Sequence, residues 1–212
     1  MNWGLIVKQP APQLAGKKYN DIEVKMHLRE EGGQRCVYCS INESIIGGYQ
    51  FFWVEHHKPQ SVDSSLKDDL NNLFYSCQIC NRFKSNDWPN EPDATFALCC
   101  YPNPTAVDYK TLFDLSGDGR LSGVYTASKY LVERIYLNRP QLIMERRRVA
   151  LRDRHNQLND EARALAERLA AKGDAESTRL LLEIVKLSQD AQVLNTKLET
   201  IPPYEVADVT RQ

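Results

Sequence analysis

Four cysteines and a short polar cluster carry the chemistry legible in this 212-residue chain. Cys36-Val-Tyr-Cys39 and Cys77-Gln-Ile-Cys80 form two Cys-x-x-Cys pairs with 37 residues between them. Each pair can give two thiolates to one tetrahedral ion, and four thiolates make a closed structural Zn2+ set. A closed set has no open coordination position, so it holds shape and does not react. The reactive candidates are therefore the residues between and beside the pairs: Glu55, His56 and His57 ahead of Pro59, then Asn72, then Asn81 and Lys84 after the last cysteine. Hydrolysis of a phosphodiester needs a general base for water and a cation for the developing charge. His56 is an imidazole at a strand end with a pKa near the working range. Glu55 and Asn81 offer hard oxygens to a second, catalytic divalent metal. Lys84, one helical turn beyond Asn81, can reach a phosphate.

The elements that must position these residues can be read from patterning. Residues 49–56 are aromatic and β-branched and predict a strand, opened by Gly47-Gly48. A loop follows to about Asn71, then a short strand at Leu73–Ser76 and a helix from Cys77 or Gln78 that must end before Pro89. Upstream, residues 1–20 suggest an extended arm with a short strand at Leu5–Val7. Residues 21–31 suggest a helix capped by Asp21, with Ile22, Met26 and Arg29 on one face, stopped by Gly32-Gly33. Residues 89–124 are rich in proline and glycine; Thr95–Tyr101 and Thr111–Leu115 are candidate strands, and Ser116–Gly119 is a turn. A helix over 126–137 breaks at Asn138-Arg-Pro140, where Asn138 can cap the next. The seams Leu151, His155, Leu158, Ala162, Leu165, Leu169 and Leu180, Ile184, Leu187, Ala191, Leu194, Leu198 step by 4 and 3 on either side of Lys172-Gly173-Asp174. Matching heptads flanking a glycine turn predict an antiparallel helical hairpin about 40 Å long.

Val54-Glu55-His56-x-x-Pro59, Asn72-Leu73 and Cys77-x-x-Cys80-Asn81-x-x-Lys84 together resemble the HNH nuclease motif of the ββα-metal fold. The resemblance covers about 50 residues and is carried by several positions in order. It implies that the acidic residue before the histidine (here Glu55, where Asp is usual) and Asn81 bind a catalytic Mg2+ or Mn2+. It implies that His56 is the base and that Asn72 holds the loop and the base in place. His57 stays open as an alternative base; the proline three residues after His56 favours His56. A second resemblance, over Gly119-Arg120-Leu121, Ala127, Val132–Leu142 with its Leu137-Asn-Arg-Pro140 segment and Arg146–Arg148, is to the C-terminal part of bacterial anti-phage HNH nucleases of Septu and retron systems. That one implies an ABC/SMC-like ATPase partner.

The expectation that follows is an α+β fold: a zinc-stapled ββα-metal HNH core, then a helical region with a long antiparallel hairpin. Residues 1–124 form the nuclease domain with its arm and loop-rich extension; residues 125–212 form the helical domain with a polar tail. DNA is the expected substrate and RNA the alternative, and the hairpin is a candidate route to an oligomer. A net charge of −1 excludes binding nucleic acid by bulk charge. Residues 134–154 nevertheless hold seven arginines against Glu145 and Asp153, a local balance of +5 that can track phosphates. No run of 18 apolar residues and no signal-peptide layout is present, and thiols paired for metal fit a cytoplasmic setting. Cys99-Cys100 and His27 read as structural. A zinc-stapled module that only binds a partner would carry the same four cysteines, but it would not require Glu55, His56 and Asn81.

Overall fold

In the computed structural model, residues 3–170 and 175–200 are described. The Lys172–Asp174 turn and the polar tail after Thr200 lie outside that range. The chain divides into two compact units, 1–142 and 143–212. The sequence boundary at 124/125 falls inside the first of them, because the 126–134 helix packs on a strand at 121–123. The fold is α+β with a helical C-terminal region.

The centre of the first unit is a two-stranded antiparallel sheet. β1 (Phe52–His56) pairs with β2 (Leu73–Cys77) in the register Phe52↔Cys77, Glu55↔Phe74 and His56↔Leu73. All five β2 residues are buried, so this strand is covered on both faces. β1 begins three residues later than its aromatic run suggests, since Tyr49–Phe51 close a 3-10 turn. α1 (Ile22–Glu31) packs on β2 through Val24 and Leu28, each 1% exposed. Ile22, expected on that face, is exposed, and Arg29 turns aside to donate to the buried carboxylate of Glu43. Both stripes satisfy the helical period, and the wholly apolar one is buried. Asp21 stands at the N-cap of α1 as expected, but its side chain makes no capping bond and accepts from Lys18 N instead. α2 (Gln78–Lys84) follows β2 without a loop, Cys77 serving as its N-cap with Sγ accepting from Cys80 N.

Two expected strands do not form. Ile6 N donates to Pro104 O at 3.0 Å, but Pro104 has no N–H to return, so no ladder grows over Leu5–Val7. Residues 95–101 run into Pro102, and Phe96 sits at φ +54°, which interrupts any extended run. The second sheet is a hairpin of β3 (Phe113–Leu115) and β4 (Leu121–Gly123) closed by the 116–119 turn. β4 then meets α3 (Thr126–Arg134), whose first turn is closed by Ser128 Oγ accepting from Tyr125 N. The approach is tight: a Cβ at Gly123 would lie 2.2 Å from Lys129 N and 2.5 Å from Ser128 C, both backbone atoms that cannot swing away. Gly123→Ala should therefore destabilise the first unit by about 1–3 kcal/mol, the range for forced overpacking, read as a lowered urea midpoint at unchanged slope. An unchanged midpoint would show that α3 moves freely off β4.

In the second unit, α4 (Pro140–Ala170) and α5 (Ala175–Thr200) carry the two heptad seams. Every seam position is buried or half-buried, with Leu158, Leu165, Leu180 and Ala191 the deepest. Leu181, Leu182, Val185 and Val193 on α5 stay exposed. The amide of Asn138, expected to cap the next helix, donates to Leu121 O and accepts from Leu121 N, fastening the segment before α4 to β4. Among the described residues, no helix is long and apolar enough to cross a membrane.

Candidate active site and metal centre

The four cysteines meet as their spacing requires. Cys36 and Cys39 lie in a tight knuckle held by Ser40 N donating to Cys36 O and Cys36 N donating to Ile41 O. Val37 N donating to Tyr75 O docks the knuckle on β2. The Sγ atoms of Cys36, Cys39, Cys77 and Cys80 all lie within 4.8 Å of one another, and all four residues are buried. Thiolates at 2.3 Å around one tetrahedral ion would stand about 3.8 Å apart; Cys39 and Cys77 Sγ are 3.9 Å apart. Donor type, number and spacing thus suit zinc. The cluster closes the junction of β2 and α2, directly ahead of Asn81.

The acid cluster is built on the other face of that junction. Glu55 is 3% exposed on β1, and Asn81 on α2 donates Nδ2–H to Glu55 Oε2 at 2.6 Å. The other carboxylate oxygen accepts from Tyr38 OH at 3.0 Å and from Lys84 Nζ at 2.8 Å. Lys84 is the correction here. Expected to reach a phosphate, it is fully buried, also donates to His56 O at 2.9 Å, and lies over the Tyr101 ring. A helical turn from Asn81 brings the ammonium back onto β1, not out to solvent. Burial pushes the Glu55 carboxyl above its usual range, and the Lys84 ammonium offsets this only in part. Removing one partner of a buried pair strands the other charge, typically at 3–5 kcal/mol. Lys84→Met is thus expected to lower unfolding free energy by about that much, as measured by urea denaturation; an indifferent substitution would mean Glu55 is not held charged.

The two histidines are separated by the alternation of the strand. His57 is 6% exposed, its Nε2–H donating to Tyr101 O at 3.0 Å, with Trp88 edge-on at 5.1 Å. Burial, helped by the Lys84 charge, pushes its pKa down to about 4. It is a neutral, fixed, interior imidazole. His56 is half-buried; its ring bonds to Lys67 O through Nε2 at 2.9 Å, lies near the Gln60 amide and meets Tyr19 edge-on. With Nε2 carrying the proton toward a carbonyl, Nδ1 is the basic nitrogen. Burial lowers the His56 pKa, and the neighbouring Lys84 charge adds to that. The structure joins His56 to the acid cluster through its backbone carbonyl on Lys84, not through its ring. Asn72 clamps the loop after β1: its Oδ1 accepts from Lys58 N at 2.8 Å and its Nδ2 donates to Lys58 O at 3.0 Å.

Three contributors escaped sequence reasoning. Tyr38 sits inside the first Cys-x-x-Cys pair, where it could be noticed but not assigned to Glu55. Tyr101 comes from a segment with no motif. Arg139 counted in the basic stripe and in the Leu137-Asn-Arg-Pro140 segment, with no link to the cysteines, yet its guanidinium lies against their sulfurs. Arg134 likewise pairs with Asp87, and Arg146 is buried, so the +5 stretch is not a continuous phosphate-facing surface.

A hairpin and helix joined at four clustered cysteines that could hold zinc, presenting a buried carboxylate to a helix amide, define a ββα module. Residues 36–87, which span both cysteine pairs, β1, β2 and α2, match the model of the HNH endonuclease family. That segment is similar to HNH endonucleases, and the match supports nuclease activity in general. No curated protein matches the chain.

Proposed function

We propose that this protein is a metal-dependent endonuclease hydrolysing phosphodiester bonds in DNA, with His56 as the general base. The observation that carries this reading is the 2.6 Å approach of Asn81 to Glu55 Oε2 inside the HNH-matching segment. Glu55 and Asn81 are the residues that would hold Mg2+ or Mn2+. Their oxygens are hard donors of the kind such ions take alongside water and substrate phosphate, and the Asn81 amide need only turn over to offer Oδ1. Bound there, the ion would stabilise the negative charge growing on the phosphate and the leaving oxygen. Because Lys84 already neutralises Glu55, the site alone should hold the ion weakly and tightly only with phosphate present. His56 takes the proton of the attacking water on Nδ1 while the Lys67 carbonyl fixes Nε2–H. Asn72 keeps the loop carrying Lys67 closed over the ring through Leu66 and Lys58. Products would carry 5′ phosphate.

A base works only unprotonated, so a lowered pKa keeps His56 active to lower pH. The acid limb of the cleavage rate is expected below about pH 6.5, the ordinary histidine value. A limb centred above neutrality would remove His56 from the role.

The wider reading is a cytoplasmic effector of an anti-phage system acting with an ABC/SMC-like ATPase. It is supported by the resemblance of Val132–Leu142 and by the uncovered apolar side chains Leu181, Leu182 and Val185 on α5, which suit a partner or a second copy. Supercoiled plasmid and structured RNA, each incubated with the chain and Mg2+ or Mn2+, test the substrate. Ligatable nicks in DNA are expected. Cleavage of RNA alone would make it a ribonuclease, and inertness toward both would refute the enzyme reading. Affinity purification tests the partner: an ATPase should co-elute, and the chain eluting alone would contradict it.

A further inference from the structure

Arg139 lies far in sequence from the cysteines and against them in space. Its Nη2 is 3.4 Å from Cys80 Sγ, 3.7 Å from Cys39 Sγ and 3.9 Å from Cys77 Sγ. Its Nη1 donates to Ile135 O at 3.2 Å and Tyr136 O at 3.3 Å, the carbonyls where α3 ends. The fourth sulfur, on Cys36, is instead 3.5 Å from the Ser76 hydroxyl. Four thiolates around a divalent ion leave a net charge of −2. All four cysteines are buried, and buried charge is costly unless paired and hydrogen-bonded. A guanidinium answers both needs, being permanently charged, weakly hydrated and able to aim several N–H groups from one plane. No role in phosphate binding is open to a side chain committed in this way.

We propose that Arg139 is the charge partner of the zinc–thiolate cluster, a positioning residue that sets how tightly the cysteines hold zinc and ties the end of α3 to the metal site. This rests on the four-cysteine zinc reading and goes beyond it. Outer partners of metal ligands typically contribute 10–100-fold to affinity. Hydrogen bonds to a thiolate also lower the energy of its sulfur lone pairs.

The test is chelator competition on the full-length protein, with zinc and then with cobalt as a coloured substitute. Arg139→Gln is expected to bind zinc about 10–100-fold more weakly than the parent, with Arg139→Lys in between. The sulfur-to-cobalt charge-transfer band should move to longer wavelength in Arg139→Gln. Arg134→Gln removes a similar cation that pairs with Asp87 and not with sulfur; it should behave as the parent does. Parent-like zinc affinity and an unmoved band in Arg139→Gln would overturn the proposal. So would equal weakening in Arg134→Gln, which would assign the effect to general charge. An Arg139→Gln chain that folds only at raised zinc supports it, whereas one unfolded at every zinc level would place the defect in packing and contradict it. A parent that binds no zinc would fail the four-cysteine reading itself, a result distinct from any of these.

Discussion

Cys77→Ser is expected to unfold the first unit, not merely to slow catalysis. Cys77 performs three tasks at once: it supplies one of the four clustered sulfurs, ends β2 opposite Phe52, and caps α2 by accepting from Cys80 N. Structural zinc contributes on the order of 10–16 kcal/mol to folding small modules, against a total stability of about 5–15 kcal/mol for ordinary domains. A serine oxygen is a poor substitute in a thiolate set, and it leaves two buried thiols, Cys39 and Cys80, facing Arg139. Loss of the site therefore exceeds what the apolar core around Val24, Leu28, Phe52 and Leu73 can hold. Elemental analysis should find one zinc per parent chain and substantially less in the variant, whose far-ultraviolet circular dichroism and melting transition should collapse. A folded, zinc-free Cys77→Ser chain with the parent's melting temperature would show the staple to be dispensable.

The second large effect falls on activity. His56→Ala is expected to reduce cleavage by about 10²–10⁴-fold, the range for a lost general base, with little loss of fold. His56 is half-buried, and its ring contacts are to Lys67 and Gln60 in the loop after β1 and to Tyr19 ahead of α1. His57→Ala should show the opposite profile. Its ring fills the space under Trp88 and Phe74 and ties down the Tyr101 carbonyl. Stability should fall, while the rate of the protein that remains folded stays near the parent's. The two single variants thus divide the histidine pair by kind of defect. A His57→Ala chain that is stable and inactive would reverse the assignment.

How much of this was legible beforehand depends on whether a feature is local. The Cys-x-x-Cys pairs, the Glu55-His56-x-x-Pro59 run and Asn81 are short-range patterns tied to ligand geometry, and the strand, strand and helix around them follow from composition. The Asn81–Glu55 contact joins residues 26 apart but follows from the motif's order. Lys84 shows where such reasoning stops: spacing along α2 says that it is one turn from Asn81, and only the third dimension says that β1 lies there. Arg139 is a sharper case, 100 residues from Cys39, so a charge count could see only a stripe. The missing strands near Leu5 and Thr95 had acceptable side chains; the lack of a donor on Pro104 decided against the first and the positive φ of Phe96 against the second. On α1, two stripes fitted one period, one of them carrying Arg29; burial of Val24 and Leu28 followed from what lay across from them.

The central claim is that the Glu55, His56 and Asn81 set cuts nucleic acid with metal assistance while the cysteines only hold the shape. Plasmid nicking by zinc-loaded parent and His56→Ala protein, side by side, with Mg2+ and then with excess EDTA, tests it most directly. Zinc content and circular dichroism are checked on the same samples. The expected result is metal-dependent nicking by the parent, abolished by EDTA and restored by Mg2+, and near-absence of nicking by an equally folded, equally zinc-loaded His56→Ala chain. Undiminished cutting by that variant would contradict the account.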